Sequence, residues 1–470
     1  MNELNSNKSK TEEPNFRDKI STVDITGRRK WMYVLQPQGK FYNRRTIFSL
    51  VYLVLFFALP FIKINGIPMF QFNLLDTKFI LFGKVFLPQD FILFGIGMLI
   101  FLLFIIVFTL IFGRIFCGWA CPQTIFLEMV FRRIEFWIEG PANKQEANEK
   151  GELTTEMYVR KAIKHIVFLA LSFIIANTFL SYIIGIDELF NIIHEPIFKH
   201  VNGFFAITFF TFAFYAVYAF VREIVCTVIC PYGRLQGVLL DKNSIVVAYD
   251  YLRGEPRAKA AKQKSEGKGD CIDCGLCVKV CPTGIDIRNG TQLECVNCTA
   301  CIDACNMMMR NAHRDEDLIR YASENDIAEG KKPRLTFRIK AYSTVLIILI
   351  GLLTVLLVTR SMFDATVLRV PGQILQENND GTVTNLYRIK IVNKSSFTQP
   401  YRIELEDKSA SIEYVGNRLD SLKSGIESEE TFFIKFPKQR IGDRKENLRL
   451  IIKSGDEIIQ TKTVSFIAHY

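Results

Sequence analysis

The fold is decided by the stretch Cys271-Ile-Asp-Cys274-Gly-Leu-Cys277-Val-Lys-Val-Cys281-Pro282, followed by Cys295-Val-Asn-Cys298-Thr-Ala-Cys301-Ile-Asp-Ala-Cys305. Both halves have the spacing C-x2-C-x2-C-x3-C. Three thiolates at this spacing can bind one face of a cuboidal cluster from a tight loop, while the fourth lies on the following helix and reaches the other cluster. The spacing therefore predicts a domain of the bacterial ferredoxin type with two [4Fe–4S] clusters.

The same rule assigns the ligands of each cluster. One cluster is bound by Cys271, Cys274, Cys277 and Cys305, and the second by Cys281, Cys295, Cys298 and Cys301. The alternative is a pair of closed zinc sites with four thiolates each, which this spacing disfavours. Asn306 follows Cys305 where proline follows Cys281. Because proline does not bind the cluster, the prediction stands, with a different environment for the two clusters.

The rest of the chain is divided between apolar runs and basic loops. Several runs approach the ~20 apolar residues needed to cross a bilayer. They predict membrane helices over 46–62, 91–113, 163–184, 204–221 and 342–359. The net charge is +10, and its lysines and arginines lie mainly beside these runs. This distribution favours membrane lipid, and not a nucleic acid, as the partner of the basic residues.

The basic residues also predict the orientation. They concentrate before the first helix, after the second and after the fourth, so these segments and the ferredoxin domain are expected in the cytoplasm. The C-terminal domain is then periplasmic. The polar N-terminus lacks the short apolar core of a signal peptide. The chain is expected to be a multi-pass protein of the bacterial inner membrane.

The second and fourth helices end in the same motif. The first copy is Arg114-Ile-Phe-Cys117-Gly-Trp-Ala-Cys121-Pro122 and the second is Arg222-Glu-Ile-Val-Cys226-Thr-Val-Ile-Cys230-Pro231. Residues four apart share a helix face, so each pair can form a two-thiolate clip that selects Cu(I) or an iron–sulfur unit. A buried cysteine can also be a small apolar residue. Because the motif occurs twice, a functional site is the favoured interpretation.

Weaker candidates accompany these cysteines. The two arginines are expected to anchor helices at lipid head groups, and activation of the thiols is the alternative. Residues 124–138 are expected to form an amphipathic interfacial helix. Residues 307–309 are three methionines that are expected to pack around the second cluster, with copper binding as the alternative. Copper or a quinone can also use the three candidate histidines, His165, His194 and His200.

Alternating apolar and polar residues mark the C-terminal region. They predict strands over 387–392, 401–406, 431–436, 448–452 and 457–466. Turn residues separate these runs at 379–381, 442–443 and 455–456. A β-sandwich of about a hundred residues is therefore expected.

The predicted domains follow from these patterns. They are a cytoplasmic tail (1–40), a four-helix membrane domain (41–250), a basic linker (251–269), the ferredoxin domain (270–315), a cytoplasmic connector (316–341), the fifth helix (342–360) and the β-domain (361–470).

In this order the motifs resemble the CcoG/FixG family of cytochrome c oxidase accessory proteins. The resemblance implies an immunoglobulin-like C-terminal domain and a cupric reductase that supplies Cu(I) for assembly of cbb3-type oxidase. Copper is then the substrate, and Cys117, Cys121, Cys226 and Cys230 belong to motifs that handle it. Oxidase assembly proteins and a copper transporter or chaperone are the implied partners. The cytoplasmic electron donor is not predicted, and the sequence is compatible with a homodimer.

Two other functions remain open at this point. The four-helix part also looks like the membrane ferredoxins that pass quinol electrons to another reductase. A non-catalytic assembly factor, with a β-domain that binds oxidase subunits and clusters that sense redox state, is the third interpretation.

Overall fold

The computed structural model describes residues 28–29, 31–73, 78–86, 90–151, 154–259, 267–330, 336–361, 363–370, 376–378, 381–395, 397–416, 418–423, 426–438, 445–455 and 457–467. The chain forms two compact units. The first unit contains Met1–Phe57, Met98–Phe179 and Glu195–Ile350, and the second contains Ala58–Gly97, Leu180–His194 and Gly351–Tyr470.

Within the residues that the structure describes, five helices are long and apolar enough to cross a membrane, as predicted. They are Lys40–Phe61, Phe91–Phe112, Thr155–Ile184, Val201–Val221 and Phe337–Val358. Pro60 lies in a short 3-10 turn, Leu59–Phe61, which ends the first helix because proline cannot continue an α-helix. The first and third helices begin before their apolar runs do, since polar residues form their opening turns.

The early start of the first helix has a tertiary cause. The carboxylate of Asp303, which is 4% exposed, accepts the backbone N–H groups of Phe41 (3.1 Å) and Tyr42 (2.7 Å). N–H groups in the first turn of a helix have no partner within the helix, so an acceptor there stabilises the start. A Cβ atom on Gly39 would lie 2.4 Å from the carboxyl carbon of Asp303, so this close approach requires glycine.

Shorter helices connect and follow the membrane helices. They are Ile115–Trp119, Pro122–Thr124, Arg132–Glu139, Ala142–Lys150, Ile186–His194, Pro231–Leu239, Tyr251–Gly254 and Glu324–Glu329. Three segments form π-helical turns, Ile125–Phe131, Val217–Val221 and Val225–Ile229. Two of these lie beside the second copy of the C-x3-C-P motif, where π-turns often mark functional sites.

The segment over 124–138 is not the interfacial helix that its pattern predicts. It consists of the π-helical turn followed by Arg132–Glu139, and it buries Phe126, Leu127 and Phe131 in an apolar cluster. Its polar face is buried too, because Arg132 and Glu135 are 3% and 4% exposed. The sequence shows that the charges lie on one helix face, but it does not show that they pair with buried charges elsewhere in the chain.

The ferredoxin domain lies within the first unit. Its two cysteine runs lead into the helices Leu276–Lys279 and Ala300–Asn311, which pack on each other. Strand Val246–Tyr249 pairs antiparallel with Ile319–Ala322 beside them. Ends of the predicted linker are ordered on this domain, since Arg253 Nε binds Asp270 Oδ2 at 2.6 Å.

The second unit contains the β-domain, which is built from antiparallel sheets around one core. One sheet has the strand order Ser411–Val415, Glu427–Pro437, Thr382–Asn393, Phe363–Arg369, with Gln376–Glu377 paired to the third of these. The other sheet has the order Arg402–Leu405, Lys445–Ser454, Glu457–Ile467, and Gln399–Pro400 pairs with Ser421–Leu422. Alternate residues of both sheets bury a common core that includes Phe432, Leu450 and Phe466.

The predicted strands agree with these sheets, but Phe363–Arg369, Ser411–Val415 and the three two-residue strands were missed. Of the predicted turns, residues 379–380, 442–443 and 456 lie outside the described residues.

The second unit also contains short strands between the first two membrane helices. They are Lys63–Ile64, Ile67–Pro68, Phe70–Asn73, Lys78–Leu81 and Lys84–Phe86. Their runs are too short to stand out beside the long apolar stretches.

A buried carboxylate joins these segments to the β-domain. Asp90, just before the second helix, binds Lys394 Nζ at 2.7 Å and Arg360 at 2.6 Å. Burial alone would raise the pKa of Asp90, but hydrogen bonds and charge from these two cations lower it.

Candidate metal and redox centre

The structure gathers the eight ferredoxin cysteines around two cavities. One cavity is lined by Cys271, Cys274, Cys277 and Cys305, together with apolar side chains. The other is lined by Cys281, Cys295, Cys298 and Cys301, and Cys277 lines both cavities. These are the two groups that the sequence predicts as ligand sets. Thiols around two enclosed apolar cavities fit two [4Fe–4S] clusters, which are bound by cysteine thiolates.

The two cysteine loops have the same backbone conformation. Asp273 and Asn297 have φ angles of 50° and 54°, and Gly275 and Thr299 both have 66°. A positive φ at a β-branched residue such as Thr299 is rare and marks local strain. The second loop therefore adopts, with Thr299, the positive φ angle that Gly275 adopts in the first loop. Because the two loops share this backbone conformation with different side chains, we infer that the backbone positions the thiols.

Burial keeps four of these thiols protonated in the absence of iron. It raises the pKa of Cys277, Cys295 and Cys305 to about 12 and that of Cys298 to about 11. The charge of Arg45 opposes the shift at Cys298, and its guanidinium donates to the Cys298 carbonyl at 3.0 Å. Because metal ligands must be deprotonated, loading of the sites has to release protons.

The C-x3-C-P cysteines lie against the second of these sites. Cys117 and Cys226 belong to one apolar cluster with Val296, Cys298 and Cys301. A Cβ atom on Gly118 would lie 2.5 Å from the Val296 carbonyl oxygen. The glycine inside the first C-x3-C-P motif therefore permits direct packing on the loop that carries Cys298.

The four thiols are electrostatic neighbours. Burial raises the pKa of Cys117 to about 11 and that of Cys226 to about 12, and charge on the other cysteines of the group adds to both shifts. Burial is also the main cause that raises the pKa of Cys121. Among the residues that the structure describes, no group of three or more Cys, His, Asp or Glu side chains is arranged to hold a single metal ion.

Cys117 has a buried polar partner. Its Sγ donates to Gln236 Oε1 at 2.9 Å. Gln236 is 0% exposed, and its Nε2 donates to Tyr232 Oη at 2.9 Å and to Thr109 Oγ1 at 3.1 Å. Cys230 instead accepts the backbone N–H of Gly233 at 3.4 Å. The two copies of the motif thus hold their cysteines with different contacts.

Both arginines of the repeat are buried, so their predicted role as head-group anchors is wrong. Arg114 and Arg222 are 2% and 3% exposed. Arg114 donates to the backbone carbonyl of Leu293 in the ferredoxin domain. Arg222 forms two hydrogen bonds to Glu135, at 3.0 and 2.8 Å. A buried charge needs a compensating partner, which is the Glu135 carboxylate for Arg222 and a neutral backbone carbonyl for Arg114.

Arg222 is part of a larger buried ion network. Its members are Arg29, Glu128, Arg132, Glu135, Glu139, Lys164, Arg222 and Glu223. Burial alone would raise the pKa of Glu135, but the charges of Arg222, Lys164 and Arg132 lower it. The network contains four carboxylates and four cations, so it balances its own charge within the apolar interior.

The weaker candidates lie elsewhere. His165 Nδ1 contacts Tyr215 Oη at 2.9 Å, His194 Nδ1 contacts the Phe190 carbonyl at 2.9 Å, and His200 contacts Glu195 at 3.2 Å. These contacts are structural, and the three histidines do not converge with the thiols into a metal site among the described residues.

The predicted position of the methionines around the second cluster is wrong. Met308 and Met309 line the cavity of Cys271 and Cys305, not that of the second cluster. They follow Cys305 by three and four residues, so one helix face presents all three to the same cavity.

Sequence reasoning missed Arg45, Gln236 and Asp303. Each acts through a contact with a residue distant in the chain, and Arg45 and Cys298 are 253 positions apart. A polar or charged residue beside an apolar run was the only signal present.

Comparisons with known proteins agree with this architecture. Residues 221–324 match the family described as "4Fe-4S dicluster domain", and residues 94–141 match "4Fe-4S binding domain". Residues 353–469 match the family of the IG-like fold at the C-terminal of FixG. The match over 94–141 includes the first C-x3-C-P copy, with Cys117 and Cys121.

Several relatives cover most of the chain. It is 28% identical to the nitrogen fixation protein FixG of Rhizobium meliloti over 480 residues, which is 90% of each chain. It is 33% identical to protein RdxA of Cereibacter sphaeroides over 344 residues, 71% of this chain and 72% of RdxA. Protein RdxB of the same organism is 30% identical over 410 residues, 83% of this chain and 84% of RdxB.

Proposed function

Because the chain belongs to the FixG family of membrane iron–sulfur electron-transfer proteins, we propose that it reduces Cu(II) to Cu(I) at the four C-x3-C-P thiols. The proposed substrate is copper, and the proposed destination of Cu(I) is a cbb3-type cytochrome c oxidase under assembly.

One observation carries this proposal. Cys117 and Cys226 share an apolar cluster with Cys298 and Cys301. Cys298 and Cys301 belong to the second predicted ligand set, so these thiols pack beside two of the predicted cluster ligands. A [4Fe–4S] cluster bound there supplies one electron at a time, which is the requirement of Cu(II) reduction.

The thiols themselves suit the product. Thiolate is a soft ligand that selects Cu(I) over harder metal ions. All four thiols lie within one neighbourhood, yet without copper they do not form a finished single-ion site among the described residues. Copper binding has to draw them together and displace their protons. The region of the chain that matches "4Fe-4S binding domain" supports a second candidate, in which Cys117 and Cys121 bind an iron–sulfur unit.

The proposal includes a location and partners. The ferredoxin domain is proposed to face the cytoplasm and the immunoglobulin-like domain the periplasm, in the inner membrane. Oxidase assembly proteins and a copper transporter or chaperone are the proposed partners on these two sides.

The test is anaerobic. The purified protein is reduced with dithionite, freed of excess reductant and mixed with stoichiometric Cu(II), while a Cu(I) chelator and the cluster absorbance are followed. We expect fast reoxidation with one Cu(I) trapped per electron. In the variant Cys226→Ser/Cys230→Ser the cluster absorbance should remain while Cu(I) formation falls at least tenfold.

Thr227→Ala is the matched control, because Thr227 lies between the two cysteines and only bonds within its own helix turn. It should behave like the parent protein. Equal rates of Cu(I) formation in the double cysteine variant and in the control would refute a role for these thiols. Iron in excess of eight atoms per chain, lost in Cys117→Ser/Cys121→Ser, would favour the iron–sulfur candidate instead.

A further inference from the structure

A large cavity of the first unit is apolar and lies beside the C-x3-C-P thiols. Its volume is about 680 Å³, within the range of pockets that bind small molecules. The lining residues come from the first two membrane helices, from the first Arg–C-x3-C-P copy itself and from the residue after the second copy; they include Phe48, Phe104, Phe108, Phe116, Trp119 and Tyr232. The cavity is thus built where the membrane helices meet the redox centre.

The walls define the kind of ligand. Phe48 and Phe104 are 43% and 51% exposed, so the cavity is open on the surface that the membrane helices present to lipid. A ligand of this cavity therefore has to be soluble in the membrane. Aromatic side chains on several sides also favour a flat ring, because ring faces and edges attract each other.

Two residues give the cavity a polar side. Tyr232 Oη accepts from Gln236 Nε2, which leaves the hydroxyl hydrogen for an acceptor such as a carbonyl oxygen. Trp119 is held in place because its Nε1 donates to Tyr321 Oη at 3.2 Å. The acyl chain of a lipid would use neither the hydroxyl nor the aromatic walls in this way.

The same tyrosine is connected to the thiols. Gln236, which donates to Tyr232, also accepts from Cys117 Sγ. Tyr232 is therefore two hydrogen bonds from a thiol of the proposed copper site, through the Gln236 side chain, which has no exposure. Apolar walls, a hydrogen-bond donor and a hydrogen-bonded connection to a redox site are together the features that a membrane hydroquinone requires.

We infer that this cavity binds the ring of an isoprenoid quinone, and that its hydroquinone form is the electron donor of the protein. The donor role rests on the proposed copper reduction, whereas the binding does not. In the net reaction one hydroquinone loses the hydrogens of its two O–H bonds to become quinone. Two Cu(II) ions each gain one electron to become Cu(I), and two protons are released to water.

Binding is tested without copper. Ubiquinone-1 is titrated into the detergent-solubilised protein, and the quenching of Trp119 fluorescence is followed. We expect saturable quenching that is lost in Trp119→Phe, although Trp31 and Trp137 remain. Ala120→Phe should abolish the quenching because the larger side chain fills the cavity. Tyr232→Phe should weaken binding about fivefold, the loss expected for one hydrogen bond.

The matched control is Val345→Phe, which adds the same ring at a position 48% exposed on the fifth helix. It should bind ubiquinone-1 like the parent protein. Unchanged quenching in Ala120→Phe would overturn the assignment of the site. Equal displacement of ubiquinone-1 by dodecane, a chain without a ring, would show a groove for lipid tails and would also overturn it.

Donor activity is tested separately. Ubiquinol-1 and two equivalents of Cu(II) are mixed anaerobically with a Cu(I) chelator, and the spontaneous reaction without protein is subtracted. Two Cu(I) per ubiquinol, formed at least tenfold more slowly in Ala120→Phe than in Val345→Phe, is the expected result. Equal rates in the two variants would refute the donor role. Saturable binding with no copper reduction by any donor would instead mark failure of the proposed function alone.

Discussion

The first copy of the Arg–C-x3-C-P motif packs on the ferredoxin domain, whereas the second packs in the buried ion network. Arg114 donates to the Leu293 carbonyl and Gly118 contacts the loop of Cys298. Arg222 instead pairs with Glu135, and its own φ angle is +53° between two π-helical turns. The arginine of the first copy thus contacts the ferredoxin domain, and the arginine of the second copy contacts the buried ion network.

The comparison shows that a repeated motif need not have equivalent roles. The cysteines of both copies meet in one place, but each copy is held there by a different kind of contact. The first depends on close packing and a neutral acceptor, and the second on paired buried charge. Perturbations that act on only one kind of contact should therefore separate the copies.

The largest effect is expected from Arg222→Leu. The substitution leaves the buried Glu135 carboxylate without its Arg222 partner. Removing one member of a buried ion pair lowers the free energy of unfolding by about 3–5 kcal/mol. The apparent unfolding midpoint in detergent should fall steeply, with little protein recovered from membranes. Arg160→Leu is the control, because the Arg160–Glu156 pair is exposed and contributes little. An equal fall of the unfolding midpoint in the two variants would contradict the inference that the second copy depends on paired buried charge.

A smaller effect is expected from Gly118→Ala. The added Cβ would meet backbone atoms of Val296 and Asn297, and overpacking of this kind costs about 1–3 kcal/mol. The electron paramagnetic resonance signal of the cluster at Cys298 should shift, while that of the other cluster stays. Gly97→Ala, which meets nothing within 4 Å, is the control. A shift in both cluster signals would contradict the inference that the first copy packs only against the loop of Cys298.

Gln236→Leu should cost about 1 kcal/mol, because one buried hydrogen-bonding group is replaced by an apolar one of similar size. The variant removes the partner of Cys117 but touches no contact of Cys230. Mass spectrometry after brief alkylation of metal-free protein should show faster labelling at Cys117 and an unchanged rate at Cys230. Faster labelling at both would mean that the glutamine holds the two copies together.

Mild acid should have the smallest effect, and only on the second copy. The pKa of Glu135 is lowered in the folded protein, so its contribution to stability is present above the ordinary value of 4.5 and is lost as the pH falls below it. At pH 5 the loss has only begun. Unfolding midpoints from pH 7 to 4 should fall more in the parent protein than in Glu135→Gln. Parallel pH curves for the two proteins would show that Glu135 does not cause the loss of stability in acid.

Much of the fold follows from local patterns. The five apolar runs, the ferredoxin spacing and the alternation of the β-domain each lie within a few tens of residues, and the structure agrees with all three. The bounds of helices were less well predicted, since their polar opening turns depend on partners such as Asp303.

The candidate site was predicted in its thiols but not in its surroundings. Cysteine spacing shows which thiols can meet, while Arg45, Gln236 and the partners of Arg222 come from distant parts of the chain. The buried arginines were misjudged for the same reason. A charge at the end of an apolar run looks like a head-group anchor unless Glu135, 87 positions away, is known to face it.

The carboxylate that caps the first membrane helix also sets an order of synthesis. Asp303 lies 262 residues after Phe41, whose N–H group it accepts. The ribosome therefore delivers the first helix to the membrane long before the residue that completes its first turn has been made. That turn gains its carboxylate acceptor only after the ferredoxin domain has been made, so the start of the first helix is completed late in synthesis.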